Sequence, residues 1–480
     1  MNRAGKGQPG RAARGRRSRL PAAVQATTGV PFLIRAMAFC IFFFPSSMVF
    51  KPIGAAGTVP MILAVIVFGL WVCSSIFGLH DPLRVRHPGR LAVGILFLAT
   101  SASYVALYAG ITGGSTEVAR ASGDRWMILL LASLGIVIAL GEVVRSMDDA
   151  IVFIRALLAG AIFCCLVAAV QFFFHFNPME WFRIAMPGFD YNGGDTPFQS
   201  RGALLRVAGS TFHSIELAVV SAMLLPLSIW RVIYDQHRPL ILRLLGPALL
   251  IFAIASTVSR SGILGLITGL AMFIPLLPRT PRLWALLAAP LVLGALFLGV
   301  PGLVSTLTST VTSSDSDPSI TTRTNNFPRV EAMVSDRPWL GLGPGNYVAD
   351  SAIHILDNQY LNATVTQGLV GLVAIIVYLV LPGVSNLMAA RSTRDPQLRS
   401  LAGAVGAGAI VAGVCSLTFD SMSFPVFALT YPVLVGLGGA VWLMIRNETK
   451  STVRDELYLS PPVPDVGAGR PPKGEGPWTR

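Results

Sequence analysis

Residues 356–385 read LDNQYLNATVTQGLVGLVAIIVYLVLPGVS, a carboxylate and an amide running into a long apolar stretch. The part from 362 to 385 holds no charged side chain. It is long enough for a bilayer, which a helix crosses with about 20 mostly apolar residues. In hydrocarbon every backbone polar group must be satisfied within the segment, so such a run reads as a membrane helix. The opening is harder to place. Asp357 stands at the mouth of the span, between water and membrane, where Asn358 alone could cap the helix.

Working outward, further apolar runs lie near 32–50, 58–79, 90–110, 126–144, 151–175, 210–233, 243–258, 262–278, 283–300, 400–417 and 425–445. With 362–385 they predict an all-α polytopic membrane protein of about twelve transmembrane helices. Composition agrees: 53% of residues are hydrophobic and 13% charged, against about 25% charged in soluble domains. Mean hydropathy is +0.64. A large soluble enzyme is excluded.

The net charge of +13 would suggest nucleic acid in a soluble protein. Here the basic residues sit in tails and short connections, so no nucleic acid is expected. Residues 1–31, with Lys6 and arginines from Arg3 to Arg19, read as a disordered basic tail that touches anionic lipid. With that tail inside, the internal turns carry Arg84, Arg86 and Arg90, then Arg145, Arg238, Arg279 and Arg282, and Arg391, Arg394 and Arg399. Each obeys the positive-inside rule, which puts both termini in the cytoplasm. Residues 446–480 read as a Pro/Gly-rich tail. The five cysteines lie in apolar runs without metal or disulfide spacing.

Two external connections are long, 176–208 and 301–361, the second between the ninth and tenth spans. Loops of this length in a compact protein are functional or disordered. They and their flanks hold the residues with chemistry. Arg260, in STVSRSGILG, lies at the external end of the seventh span, beside small polar neighbours. A charge so near hydrocarbon needs a partner or a purpose. Arg206 precedes the helix start at Gly209, Ser210 and Thr211, and helix N-termini favour anions. His213 and Glu216 follow within the span, and an intramembrane Glu216 calls for a partner such as an arginine. Arg323 and Arg329 in the long loop are further anion contacts, or loop ion pairs with Glu331 or Asp336. GLGPGN at 341–346 is a weak likeness to a phosphate-binding loop, since it lacks Lys-Ser/Thr and the strand–turn–helix setting. No Walker motif or metal-ligand spacing occurs, so neither cofactor nor metal is expected. External arginines with almost no lysine suggest a lipid with a phosphate or diphosphate head.

These residues carry a resemblance. The chain resembles the O-antigen ligase and O-antigen polymerase (Wzy-like) family of bacterial membrane glycosyltransferases. That family has His-(Asn/Ser/Gln), nine residues, then Gly-x-x-Gly. Here Asp357-Asn358, nine residues, then Gly368-Leu369-Val370-Gly371 keeps the spacing, with Asp in place of His. RPWLGLGPGNY resembles the loop before that signature, Arg323 and Arg260 stand where the family has essential arginines, and FDSMSFPVFAL at 419–429 resembles its C-terminal pattern.

The resemblance implies a GT-C-like enzyme on the outer face of the bacterial cytoplasmic membrane. It implies transfer of a glycan from an undecaprenyl-diphosphate donor to a hydroxyl of a glycan or glycolipid acceptor. Asp357 is then expected as general base, with Asn358 orienting it or capping the helix and His354 as a substitute base. Arg260 and Arg323, with Arg206 and Arg329, would hold the diphosphate. A lipid-linked oligosaccharide flippase or polysaccharide transporter is the alternative. It needs polar groups along a path through the bundle, and apart from Glu216 the charges gather at the external ends.

Overall fold

The computed structural model describes residues 29–112, 116–193, 198–201, 204–237, 239–299, 318–347 and 354–459. The helices are α1 (Phe32–Phe43), α2 (Val59–Ile76), α3 (Pro88–Tyr108), α4 (Glu117–Val143), α5 (Met147–Phe174), a short α6 (Trp181–Ala185) and α7 (Ser214–Tyr234). They continue with α8 (Leu240–Ser256), α9 (Arg260–Phe273), α10 (Arg279–Gly299), α11 (Pro318–Asp336), α12 (Gln359–Ser392), α13 (Pro396–Cys415) and α14 (Pro425–Leu459). Each apolar run read from the sequence falls on one of these helices. Among the described residues 8 helices are long and apolar enough to cross a membrane, namely α2 to α5, α7, α12, α13 and α14. Three shorter apolar helices, Phe32–Phe43, Leu240–Ser256 and Arg260–Leu276, stand beside them. The chain is an all-α polytopic membrane protein, with two small antiparallel strand pairs among the described residues.

In the bundle α14 packs on α4, α12 lies between α13 and α3, and α13 contacts α7 and α9. Small residues fill α13, as expected where helices associate in lipid by close backbone approach.

The boundaries depart from the hydropathy runs for local reasons. The first run was expected to reach residue 50, but α1 ends at Phe43. Pro45 disfavours helix at the residue before it, and Met48–Phe50 (β1) instead pairs with Phe189–Tyr191 (β2). Phe198–Arg201 (β3) pairs with Leu204–Val207 (β4), which carries Arg206. α4 starts at Glu117, well before residue 126, because Thr116 caps it by accepting from Ala119 N. Its first three turns carry Arg120, Asp124 and Arg125, which an apolar window excludes. α7 begins at Ser214 rather than 210, since the His213 ring caps it by accepting from Ile215 N. Part of the long 301–361 connection is the helix α11. α14 runs on to Leu459, past the point where a tail was expected. Arg238 and the tail readings for 1–28 and 460–480 lie outside the described residues.

The starts of α2, α4, α12 and α14 share one end of the bundle, where they enclose a cavity. The opposite end holds the arginine-rich connections. There Asp235, 0% exposed, accepts from Arg155 Nε at 2.8 Å and Arg231 Nε at 3.2 Å, fastening α5 to α7. Arg155 hydrogen bonding holds its carboxyl down at about 2, against the opposing effect of burial.

Candidate functional site

α12 is a broken helix. Gly368 sits inside it at φ 66°, ψ −166°, a conformation open in practice only to glycine. The break frees peptide groups at membrane depth, where each needs a partner. The segment Pro338–Gly343 supplies them. Leu342 N donates to Val365 O at 3.0 Å and Gly343 N to Thr366 O at 2.8 Å. In return Leu369 N donates to Pro338 O at 2.8 Å and Val370 N to Trp339 O at 3.4 Å. α3 completes the seam: Ser103 Oγ donates to Leu340 O at 2.7 Å, and Thr100 Oγ1 to Gln367 Oε1 at 2.7 Å. Further along GLGPGN, Gly345 lies flat on Trp126, so close that a Cβ would stand 2.1 Å from the indole Cδ1. GLGPGN is therefore a backbone seam, and the spacing of the Asp357–Gly371 signature measures the first, shorter segment of a broken helix, whose first turn begins at the site.

Asn358, not Asp357, caps α12: its Oδ1 accepts from Tyr360 N at 2.9 Å and Leu361 N at 3.3 Å. Asp357 is exposed immediately before it. Gln359, 0% exposed, fastens this turn to the α13–α14 loop: its N donates to Ser416 O at 2.9 Å, and its Oε1 accepts from Met422 N at 2.7 Å. One turn on, Asn362 Nδ2 donates to Asp420 Oδ2 at 3.0 Å, and Ser423 Oγ donates to the same oxygen. Asp420 Oδ1 is buried and has no hydrogen-bond partner among the described residues. Burial pushes the Asp420 carboxyl up to about 6, helped by the Asp357 charge and opposed by Ser423, Arg125 and Asn362.

The same loop reaches the arginines on its other side. Thr418 Oγ1 donates to Ser261 Oγ at 2.7 Å, next to Arg260 at the head of α9. Arg206 Nε donates to Thr257 O at 2.7 Å, so Arg206 and Arg260 share the α8–α9 turn. Val258 in that turn has φ 49°, strained for a β-branched residue. Ser259 caps α9, its Oγ accepting from Gly262 N at 3.4 Å.

The cavity has a volume of about 210 Å³. Ser122, Arg125, Tyr347, Asn362, Asp420 and Ser423 supply its polar wall and Trp126 part of its apolar wall. Asp357, Arg206 and Arg260 do not line it. The α13–α14 loop thus touches the turn that carries Arg260 through Thr418 and the cavity wall through Asp420, with Asp357 close enough to Asp420 to raise its carboxyl.

The remaining residues read from the sequence have other places. Glu216 is 0% exposed, and its expected arginine partner is replaced by peptide N–H groups: it accepts from Phe212 N at 2.8 Å, Val426 N at 2.6 Å and Phe427 N at 2.9 Å. Helix N-terminal amides stabilise a buried carboxylate as a cation would. Glu216 therefore joins the starts of α7 and α14. Burial, with Arg206 nearby, pushes His213 down to about 4, so it is neutral at physiological pH. His354 O accepts from Tyr347 Oη. Arg329 is half-buried on α11. α11 rests on the start of α12 through Val330, Leu356 and Val365. Arg323 stands on α11 two turns before Val330, and its side chain lies outside the described residues.

Sequence reading missed Arg125 and Asp420. Arg125 sits in the polar first turns of α4, which an apolar window excludes, and Asp420 was visible only as part of FDSMSF. Among the described residues no group of three or more His, Cys, Asp or Glu side chains converges as metal ligands would.

Residues 245–376 match the family model described as O-antigen ligase. The matched stretch contains Arg260, Arg323, Arg329, His354 and the Asp357–Gly371 signature. No curated protein matches the chain.

Proposed function

We propose, from the match of residues 245–376 to the O-antigen ligase family model, that the chain moves a glycan from an undecaprenyl-diphosphate carrier to a sugar hydroxyl of a glycan or glycolipid acceptor. Membrane glycan transfer in general follows from the family and the spanning helices. Carrier, acceptor and residue roles are our reading, as are the likeness to GT-C enzymes and the cytoplasmic placement of both termini. The gathering of arginine-rich connections at the end away from the cavity supports a cytoplasmic location for that end.

In this reading the acceptor oxygen attacks the anomeric carbon of the donor. The bond from that carbon to the diphosphate oxygen breaks, and its electron pair leaves with the diphosphate. The proton of the acceptor hydroxyl passes to the Asp357 carboxylate. The leaving diphosphate gains charge, which Arg260 and Arg323, with Arg206 and Arg329, offset electrostatically. His354 lies three residues before Asp357 as the substitute base.

The observation that supports Asp357 as base is the division of labour at the head of α12. Asn358 performs the capping, while Asp357 stands exposed beside the Asp420 loop. The test is transfer by purified protein from a labelled carrier-linked donor. We expect Asp357→Ala to lose about 10²–10⁴-fold in rate, the usual share of a general base, and Asp357→His to keep part of it. Alanine at the wild-type rate would remove Asp357 from the chemistry.

A further inference from the structure

We propose that the cavity bounded by Arg125, Asn362 and Asp420 holds one pyranose ring of the acceptor glycan. This rests on the glycan-transfer reading above and adds where the acceptor sits.

The argument begins with what the wall can bond. Asp420 Oδ2 already accepts from Asn362 and Ser423, but Oδ1 is buried without a hydrogen-bond partner among the described residues. A buried carboxylate oxygen calls for a donor. Arg125 lines the same cavity, exposed, and offers only donors to a guest. A guest that satisfies both must donate and accept within a short span. Hydroxyl groups do both. A diphosphate offers acceptors alone and meets repulsion at Asp420, and a simple cation meets it at Arg125. The cavity therefore suits a polyol better than the donor's charged head.

Size and shape agree. About 210 Å³ has room for a sugar ring. The Trp126 indole and the apolar side of Met61 give the ring's C–H groups something to lie against, while Ser122, Ser423 and Tyr347 add hydroxyls at the rim. Position agrees as well. The α13–α14 loop contacts Ser261 through Thr418 on the arginine side and Asn362 through Asp420 on the cavity side. An acceptor ring in the cavity and a donor head at Arg206 and Arg260 would then both lie against that loop, with Asp357 near Asp420.

The test reads occupancy without turnover. Ser122→Cys is made in a background where Cys40 and Cys73, the two cysteines that are not buried, are alanine. A methanethiosulfonate reagent then labels the introduced thiol. Methyl glycosides of glucose, galactose, mannose, rhamnose and N-acetylglucosamine, at high millimolar concentration, serve as probes, with inorganic pyrophosphate as comparison. We expect at least one glycoside to slow labelling several-fold and pyrophosphate to leave it unchanged. Slowing by pyrophosphate alone, or by none of the probes, overturns the proposal.

A second variant, Ser122→Trp, fills the cavity. It should raise the acceptor KM at least tenfold while undecaprenyl diphosphate binds as before. An unchanged acceptor KM also overturns the proposal. Should the protein protect the thiol with a glycoside yet form no glycosidic product, the transfer reading falls and the sugar site stands. Product without protection has the opposite meaning.

Discussion

A Cβ placed on Gly368 would stand 2.3 Å from the carbonyl carbon of Trp339. Glycine is thus demanded twice at this position, by the backbone angle and by the neighbouring chain. Gly368→Ala should cost about 3 kcal/mol or more, from a strained dihedral and from backbone overlap that no side-chain rotation relieves. Gly94 in α3 is the contrast, since nothing lies within 4 Å of a Cβ added there. Gly94→Ala should be neutral or stabilising by up to about 1 kcal/mol. Thermal unfolding of the purified protein in detergent compares the two.

The cap of α12 gives a second expectation. Asn358→Ala should cost about 0.5–2 kcal/mol, and Asn358→Asp should recover most of it. Amide exchange at Tyr360 and Leu361, the two N–H groups that Asn358 accepts from, should speed up in the alanine variant alone. Unchanged exchange would mean that another group caps the helix.

The two halves of the site differed in how far the sequence revealed them. Hydropathy located the helices because lipid imposes one strong requirement on each span. It failed where local chemistry took over: at Pro45, which ends α1, and at Thr116, which starts α4 inside a polar stretch. The signature from Asp357 to Gly371 was legible as spacing, but its physical content was not. A left-handed glycine inside an apolar run looks like any other glycine until the segment that fills the break is seen. Arg125 and Asp420 are 295 positions apart in the chain, and only the fold brings them to one cavity.

The raised Asp420 carboxyl fixes a pH dependence. Its ordinary value is 3.8 and the folded protein holds it at about 6, so between these values the native state binds the proton more tightly. The stabilisation is complete below 3.8 and disappears as pH rises through about 6. Asp420→Asn carries no charge at any pH and lacks that loss. Its stability relative to wild type should therefore rise between about pH 4 and pH 7, on the order of 1–3 kcal/mol. Melting curves across that range decide; a constant difference would contradict the assignment.

At the opposite end, Asp235 holds Arg155 and Arg231 while wholly buried. Asp235→Ala removes the shared partner of two partly exposed arginines and should cost about 1–3 kcal/mol. Removing Asp235 and Arg155 together should cost less than the sum of the single changes, as a double-mutant cycle in thermal stability would show. Stability tied to this carboxyl is present above 3.8 and is lost only as pH falls through about 2, so neutral-pH comparisons are unaffected by its titration.

The gap in α12 is stitched shut by Pro338–Gly343, peptide to peptide. Masonry of this kind has no slack, because any shift of the patch would strand amides and carbonyls in oil. The ground beneath Asp357 is therefore a fixed mould. If the proposed acceptor sits there, a sugar that fits poorly should be refused for want of room, because the seam leaves the protein little freedom to reshape itself around the newcomer.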